Sequence, residues 1–236
     1  MKKHLWTLGA GFVLGAISLF FYARNHIESQ TALQPREVAV SLPSYLRDRG
    51  FQLSPQESER NDRFITDQQK EQFKEQLSIH PHITSIAEIG LNAGNSAEHF
   101  FKSCPALKKF VSFDINKYPY TAHAVEYFAK YYKDSFEFVP GDSSFTVSEY
   151  AKKCPEQKFD LIYIDGDHGY ESAMSNLIRC KDLAHPNSLV WINDYNFSDV
   201  QRAVLTLQDE KFLEIDSIHR SAGDQGERYW ARLRYR

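Results

Sequence analysis

Residues 161–173 read LIYIDGDHGYESA. Leu161 to Ile164 are four residues that belong in a core, and they run straight into Asp165-Gly166-Asp167-His168 before a segment with helical spacing begins at Tyr170. A short apolar run closed by Asp and Gly reads as a buried strand. A strand that delivers two carboxylates and an imidazole to its own end, then passes to a helix, puts chemistry at its carboxyl end. That is where open parallel α/β sheets bind ligands.

The same texture extends in both directions. TSIAEIG (84–90), KFVSFDI (109–115), FEFVPGD (136–142), FDLIYIDGD (159–167) and SLVWINDY (188–195) read as strands. Between and after them, NSAEHFFKSC, YTAHAVEYFAKYY, SSFTVSEYAKKC, YESAMSNLIRCKDL and SDVQRAVLTLQ read as helices. This alternation predicts a parallel sheet with helices on both faces. The end differs: KFLEIDSI (211–218) and ERYWARLRY (227–235) are two strands with no helix between, joined by a loop containing Gly223 and Gly226. Such a pair is antiparallel in the simplest reading. In its second member Tyr229, Ala231, Leu233 and Tyr235 alternate with Arg228, Trp230, Arg232 and Arg234, a pattern that predicts one buried face and one wet face.

Upstream, residues 61–81 read as a helix whose Phe64, Ile65, Phe73 and Leu77 share a face, with Pro81 beyond its end. Residues 24–60 hold Pro35, Pro43 and Pro55 among polar residues and read as a linker with a short helix near Tyr45-Leu46. The run Leu5–Ala23 carries no charge and reaches the ~20 residues that span a bilayer. It is longer than a signal-peptide core, and Phe21-Tyr22-Ala23 is a poor cleavage site. Residues 1–23 therefore read as an uncleaved N-terminal membrane anchor, and residues 61–236 as one domain. Lys2 and Lys3 against the single Arg24 place the N-terminus in the cytoplasm.

Composition excludes some classes. A net charge of −3 without a clustered basic face argues against a nucleic-acid partner. Three scattered cysteines, Cys104, Cys154 and Cys180, form neither a metal-binding spacing nor a disulfide framework.

The strand ends hold the candidate site. In EIGLNAGNSA, Gly90 and Gly94 flank a short loop that lets backbone approach a ligand, or that simply turns strand into helix. Asp114 ends the next strand, 24 residues after Gly90, where a carboxylate can accept both hydroxyls of a ribose or cap the following turn. Asp142 and Ser143, in PGDSS, can meet an adenine amino group, cap a helix, or do both. Asp165, Asp167, Asn193 and Asp194 bring hard oxygen donors together if their two strands are neighbours, and oxygen clusters suit Mg²⁺ or Ca²⁺. The alternative for each is a loop cap.

Taken together, EIGLNAGNSA, FDIN, GDSS, IDGDHGYE and INDY resemble the class I S-adenosylmethionine-dependent methyltransferases over about residues 62–236, in particular the branch of the macrocin and cephalosporin-pathway O-methyltransferases. The resemblance implies a Rossmann-like doubly wound sheet of seven strands, the last antiparallel, with the first and fourth strands adjacent. It implies that Glu88, Gly90 and Asn92 line the methionine side of the cofactor, that Asp114 holds the ribose, that Asp142 and Ser143 lie near adenine, and that Gly94 and Asp165 also belong to the cofactor site. In metal-using members Asp165 and Asp194, with Asn193, would hold Mg²⁺. Here Asn193-Asp194-Tyr195 stands where Asp-Asp-Tyr is commoner, so one negative charge is missing. His168 is the candidate base, or a residue that only hydrogen-bonds the loop.

The expected function is membrane-tethered, S-adenosylmethionine-dependent O-methylation of a small molecule or sugar. A silent binding protein of the same fold is the alternative. A dehydrogenase is disfavoured, because GxGxxG is missing and the end is antiparallel. The cofactor is made in the cytosol whereas the charge bias exports the domain, and a protease-protection assay on intact membranes decides the side.

Overall fold

The computed structural model describes residues 38–51, 65–223 and 226–236. The expected anchor at 1–23 lies outside them. Among the described residues no helix is long and apolar enough to cross a membrane.

In chain order the elements are α1 (Leu42–Arg47), α2 (Asp67–Ile79), β1 (Ser85–Ile89), α3 (Asn95–Ser103), β2 (Lys109–Asp114), α4 (Pro119–Tyr131), β3 (Phe136–Pro140), α5 (Ser143–Lys153), β4 (Phe159–Ile164), α6 (Tyr170–Cys180), β5 (Ala184–Ile192), α7 (Ser198–Asp209), β6 (Leu213–Gly223) and β7 (Gly226–Tyr235). The strands form one seven-stranded sheet in the order β3-β2-β1-β4-β5-β7-β6. The first five are parallel, and β7 is antiparallel to both β5 and β6. The order reverses between β1 and β4, so the crevice of a doubly wound sheet falls at their carboxyl ends.

Successive strand residues alternate between two buried layers. Ile86, Phe110, Leu161, Tyr163 and Trp191 pack with α1–α4, whereas Ala87, Ile89, Val111, Phe113, Ile162, Ile164 and Val190 pack with α5–α7. Both faces being covered explains why these strands read as continuous apolar runs. The sheet is pinned at the end opposite the crevice. There the Asp160 carboxylate accepts the Thr84 and Ser85 N–H groups at 2.7 and 3.0 Å and meets His185 Nε2 at 3.1 Å, tying β4 to β1 and β5.

Two expectations need correction. Residues 38–51, read as linker, pack on the domain: Leu42 is fully buried, its N–H donates to Glu98 Oε1 at 2.9 Å, and Tyr127 Oη donates to the Val40 carbonyl at 3.0 Å. The second face of β7 is not wet at its centre, because α2 lies over it. Trp230 is fully buried against Phe73 and donates Nε1–H to Gln72 Oε1 at 2.8 Å, while Arg232 donates to Gln76 Oε1 at 2.8 Å. A helix covering that face with glutamines satisfies a mixed aromatic and arginine row, which alternation alone reads as solvent-facing.

Candidate functional site

The ladder continues one step past the strand ends. Gly90 N–H donates to Phe113 O at 2.8 Å, Asp165 N–H to Ile89 O at 2.8 Å, and Asn193 N–H to Ile164 O at 2.9 Å. Gly90, Asp165 and Asn193 therefore stand side by side across β1, β4 and β5. The chain leaves these ends through left-handed residues: Gly90 (φ 96°), Asn92 (51°), Asn116 (56°), Gly141 (123°) and Asp194 (54°). Such backbone concentrates where a site requires it, and Asn and Asp tolerate it best among residues with a side chain.

Above the ends lies a cavity of about 700 Å³ whose walls include Gly90, Asn92, Asp114, Asp142, Ser143 and Asp165. His168 also lines it, as do Ser96, Lys117 and Ile65 from just before α2. Gly90 is held to glycine by its neighbour: a Cβ there would lie 2.2 Å from the Asp165 carbonyl oxygen. The close approach is between β1 and β4, not only between backbone and ligand.

Asp114 is oriented by backbone. Asn92 N–H donates to its Oδ2 at 2.9 Å and Asn116 N–H to its Oδ1 at 2.6 Å. This fixes the carboxylate at the cavity wall with further lone pairs to offer. Asp142 caps α5, accepting Ser144 N–H at 2.8 Å; the Ser144 hydroxyl first, and this backbone bond second, hold its carboxyl below the usual range. Capping and lining the cavity coexist at this residue. Ser143 lines the cavity and donates Oγ–H to Asn176 Oδ1 at 2.7 Å.

Two expected residues lie off the cavity wall. Glu88 is fully buried beneath the wall, with Ser96 Oγ donating to it at 2.6 Å and Ser112 Oγ at 2.8 Å. It reaches the cavity only through Ser96. Gly94 is not on the wall: it starts α3 at φ 81°, and a Cβ there would lie 2.6 Å from the Phe128 ring, so its role is packing. Asp167 does line the cavity, and it also accepts Gly169 N–H at 3.1 Å, which stabilises its own turn. Tyr170 stacks under Arg202, and Tyr195 is buried, so both pack.

Burial pushes the Glu88 carboxyl up to about 8. The folded chain then keeps a proton that the unfolded chain releases near 4.5. Stability from this group is present below that lower value and is lost as pH rises toward the upper one, at up to about 1.4 kcal/mol per pH unit. In denaturant unfolding at pH 5.5 and 7.5, Glu88→Gln is expected to remove this share of the pH slope. Parallel slopes for the two proteins would show that Glu88 titrates normally.

The end of the cavity lined by Asp165 and His168 is a polar network. Asp165 accepts Tyr163 Oη–H at 3.0 Å and Asn193 Nδ2–H at 3.0 Å, and burial together with the Asp194 charge pushes its carboxyl up to about 6. Asp194, 1% exposed, pairs with His168 Nε2 at 2.8 Å and with Arg228 Nη1 at 3.2 Å. Donor atoms of Asp165, His168 and Asp194 lie within 4.8 Å of one another. Asn193 offers this group no oxygen: its Oδ1 accepts Gln69 Nε2–H at 2.8 Å and its amide N–H₂ faces Asp165. The chain direction is fixed at both ends. Gln69 Oε1 accepts the Thr66 backbone N–H at 2.9 Å, which can only donate, and the Asp165 carboxylate accepts. Gln69 and Arg228 come from α2 and β7, and no motif marks either of them.

Residues 87–195 match a family described as a methyltransferase domain. No curated protein sequence matches the chain. Among solved structures it is similar to an O-methyltransferase from Bacillus cereus in complex with SAH, at 13% identity over 90% of this chain and 96% of that one, with a TM-score of 0.64. It is similar to the O-methyltransferase TomG of Streptomyces achromogenes, involved in tomaymycin synthesis and solved with SAM, at 12% identity over 89% and 94%, TM-score 0.62. A third likeness is to a TDP-rhamnose 3'-O-methyltransferase of calicheamicin biosynthesis, at 18% identity over 70% and 79%, TM-score 0.51. At these identities the likeness is one of fold.

Proposed function

We propose that this chain is a class I S-adenosylmethionine-dependent methyltransferase, a reading supported by its fold and by the match of residues 87–195 to a methyltransferase domain, and that it transfers the methyl group to a hydroxyl oxygen of a small molecule or sugar. The observation that carries the reading is one cavity at the order reversal on which Gly90, Asp114, Asp142 and Asp165 converge. Small-molecule and sugar acceptors of structural neighbours support the acceptor class. The Leu5–Ala23 run supports tethering to a membrane.

S-adenosylmethionine supplies the electrophilic methyl group; the protein aligns the nucleophile and excludes water. Asp114 holds the ribose, and Asp142 and Ser143 stand at the adenine end. Asp165 offers negative charge toward the sulfonium. His168 takes the hydroxyl proton. His168 Nε2 stands 2.8 Å from Asp194 Oδ2, and the Phe197 ring packs on the imidazole with centroids 4.4 Å apart.

Mg²⁺ fits this donor set poorly. It wants an all-oxygen octahedron, whereas the available group is two carboxylates and an imidazole, with Arg228 already on Asp194 and the Asn193 oxygen turned to Gln69.

The test is transfer of isotopically labelled methyl from S-adenosylmethionine to a panel of hydroxylated small molecules and nucleotide sugars. Turnover is expected on at least one member, and His168→Gln should lower kcat by about 100-fold or more with KM for the cofactor unchanged. Cofactor binding without transfer to any acceptor would favour a silent binding protein.

A further inference from the structure

We propose that Arg228 occupies the electrostatic place of a divalent cation at the acceptor end, so that this chain works without one; this rests on the methyltransferase reading above. The inference starts from where Arg228 comes from. The turn after β5 is stitched to β7, with Tyr195 N–H donating to Tyr229 O at 2.8 Å and Tyr229 N–H to Asn196 Oδ1 at 3.2 Å. That seam sets the guanidinium against Asp194, with the arginine side chain 14% exposed and the carboxylate 1% exposed.

Three features then disfavour a cation. Asp194 Oδ1 accepts from Arg228 Nη1 at 3.2 Å, and His168 Nε2 stands 2.8 Å from Oδ2. A metal bonded to that carboxylate would sit next to a guanidinium, which keeps its charge at any working pH. The third oxygen that an Asn193 ligand would supply is directed away by a chain whose polarity is fixed: the Thr66 N–H sets Gln69, Gln69 sets Asn193, and Asn193 presents N–H₂ to Asp165. Asn193 therefore turns a donor group, not an acceptor, toward Asp165. The cluster's charge is already offset from within, by a cation carried on the sheet itself.

The test uses the full chain saturated with SAH and titrated with Mn²⁺, read by loss of the free-ion electron paramagnetic resonance signal. Wild type is expected to show no Asp194-dependent binding up to about 1 mM. Arg228→Met should gain one site per chain, which the added Asp194→Asn change removes, and Arg228→Lys should gain none. Should Arg228→Met not fold, Arg228→Gln serves in its place. Two results would overturn the inference: wild-type Mn²⁺ binding that Asp194→Asn abolishes, or no binding by the folded, SAH-competent Arg228→Met or Arg228→Gln chain. Failure of wild type to bind SAH would strike the methyltransferase reading, and the Mn²⁺ result would still be read on the chain alone.

Discussion

Replacing Asp114 by alanine is expected to weaken S-adenosylmethionine binding by about 100-fold or more. A hydrogen bond to a charged group contributes roughly 1.5–3 kcal/mol, and a ribose presents two hydroxyls to one carboxylate. The carboxylate is ordered before any ligand arrives, because Asn92 and Asn116 hold one oxygen each through backbone N–H groups. Little entropy is then lost on binding. Calorimetry with the cofactor measures the effect, and a melting curve of each variant separates it from loss of fold. Asp114→Asn, which keeps shape and loses charge, should fall between wild type and alanine. Unchanged affinity in Asp114→Ala would remove the ribose assignment.

Gly90→Ala is expected to be the most destabilising alanine substitution among the described glycines. The new carbon would stand 2.2 Å from the Asp165 carbonyl oxygen, on a residue whose φ of 96° already disfavours any side chain. Neither partner can yield: Gly90 N–H is bonded to Phe113 O and Asp165 N–H to Ile89 O, so relief would pull β1 away from β2 or β4. Overpacking of this kind costs about 1–3 kcal/mol and the backbone strain a further 1–3 kcal/mol. Thermal or denaturant unfolding should show a loss of several kcal/mol together with loss of cofactor binding. A variant that melts like wild type would mean that the approach of the two strands is looser than described.

The fold was legible because both sheet faces are covered. LIYI is an unbroken core run and FVSF is interrupted only by Ser112, and each is followed by a polar residue that marks the crevice, as Asp165 and Asp114 do. The antiparallel ending was legible from the lack of a helix between β6 and β7. The buried face of β7 was not, because what covers Trp230 is a helix some 150 positions away in sequence. The same cause hid Gln69 and Arg228: their partners Asn193 and Asp194 belong to a readable motif, but nothing local distinguishes one glutamine in α2 or one arginine in an arginine-rich strand. Glu88 was legible as a site residue by resemblance. Its burial under two serines was not, since Ser112 reaches it from the neighbouring strand.

The order β3-β2-β1-β4-β5-β7-β6 also governs how the molecule must be assembled. Strand β1 pairs on one side with a segment far along the chain: Ile86 meets Leu161, 75 positions later. Until that long loop closes, Ile86, Ala87 and Ile89 present an open, sticky edge, and the crevice has only one wall. Parallel partners so remote in sequence make collapse slow and leave intermediates prone to self-association. Refolding yield should therefore depend on protein concentration, and ligand recognition should be among the last properties to return.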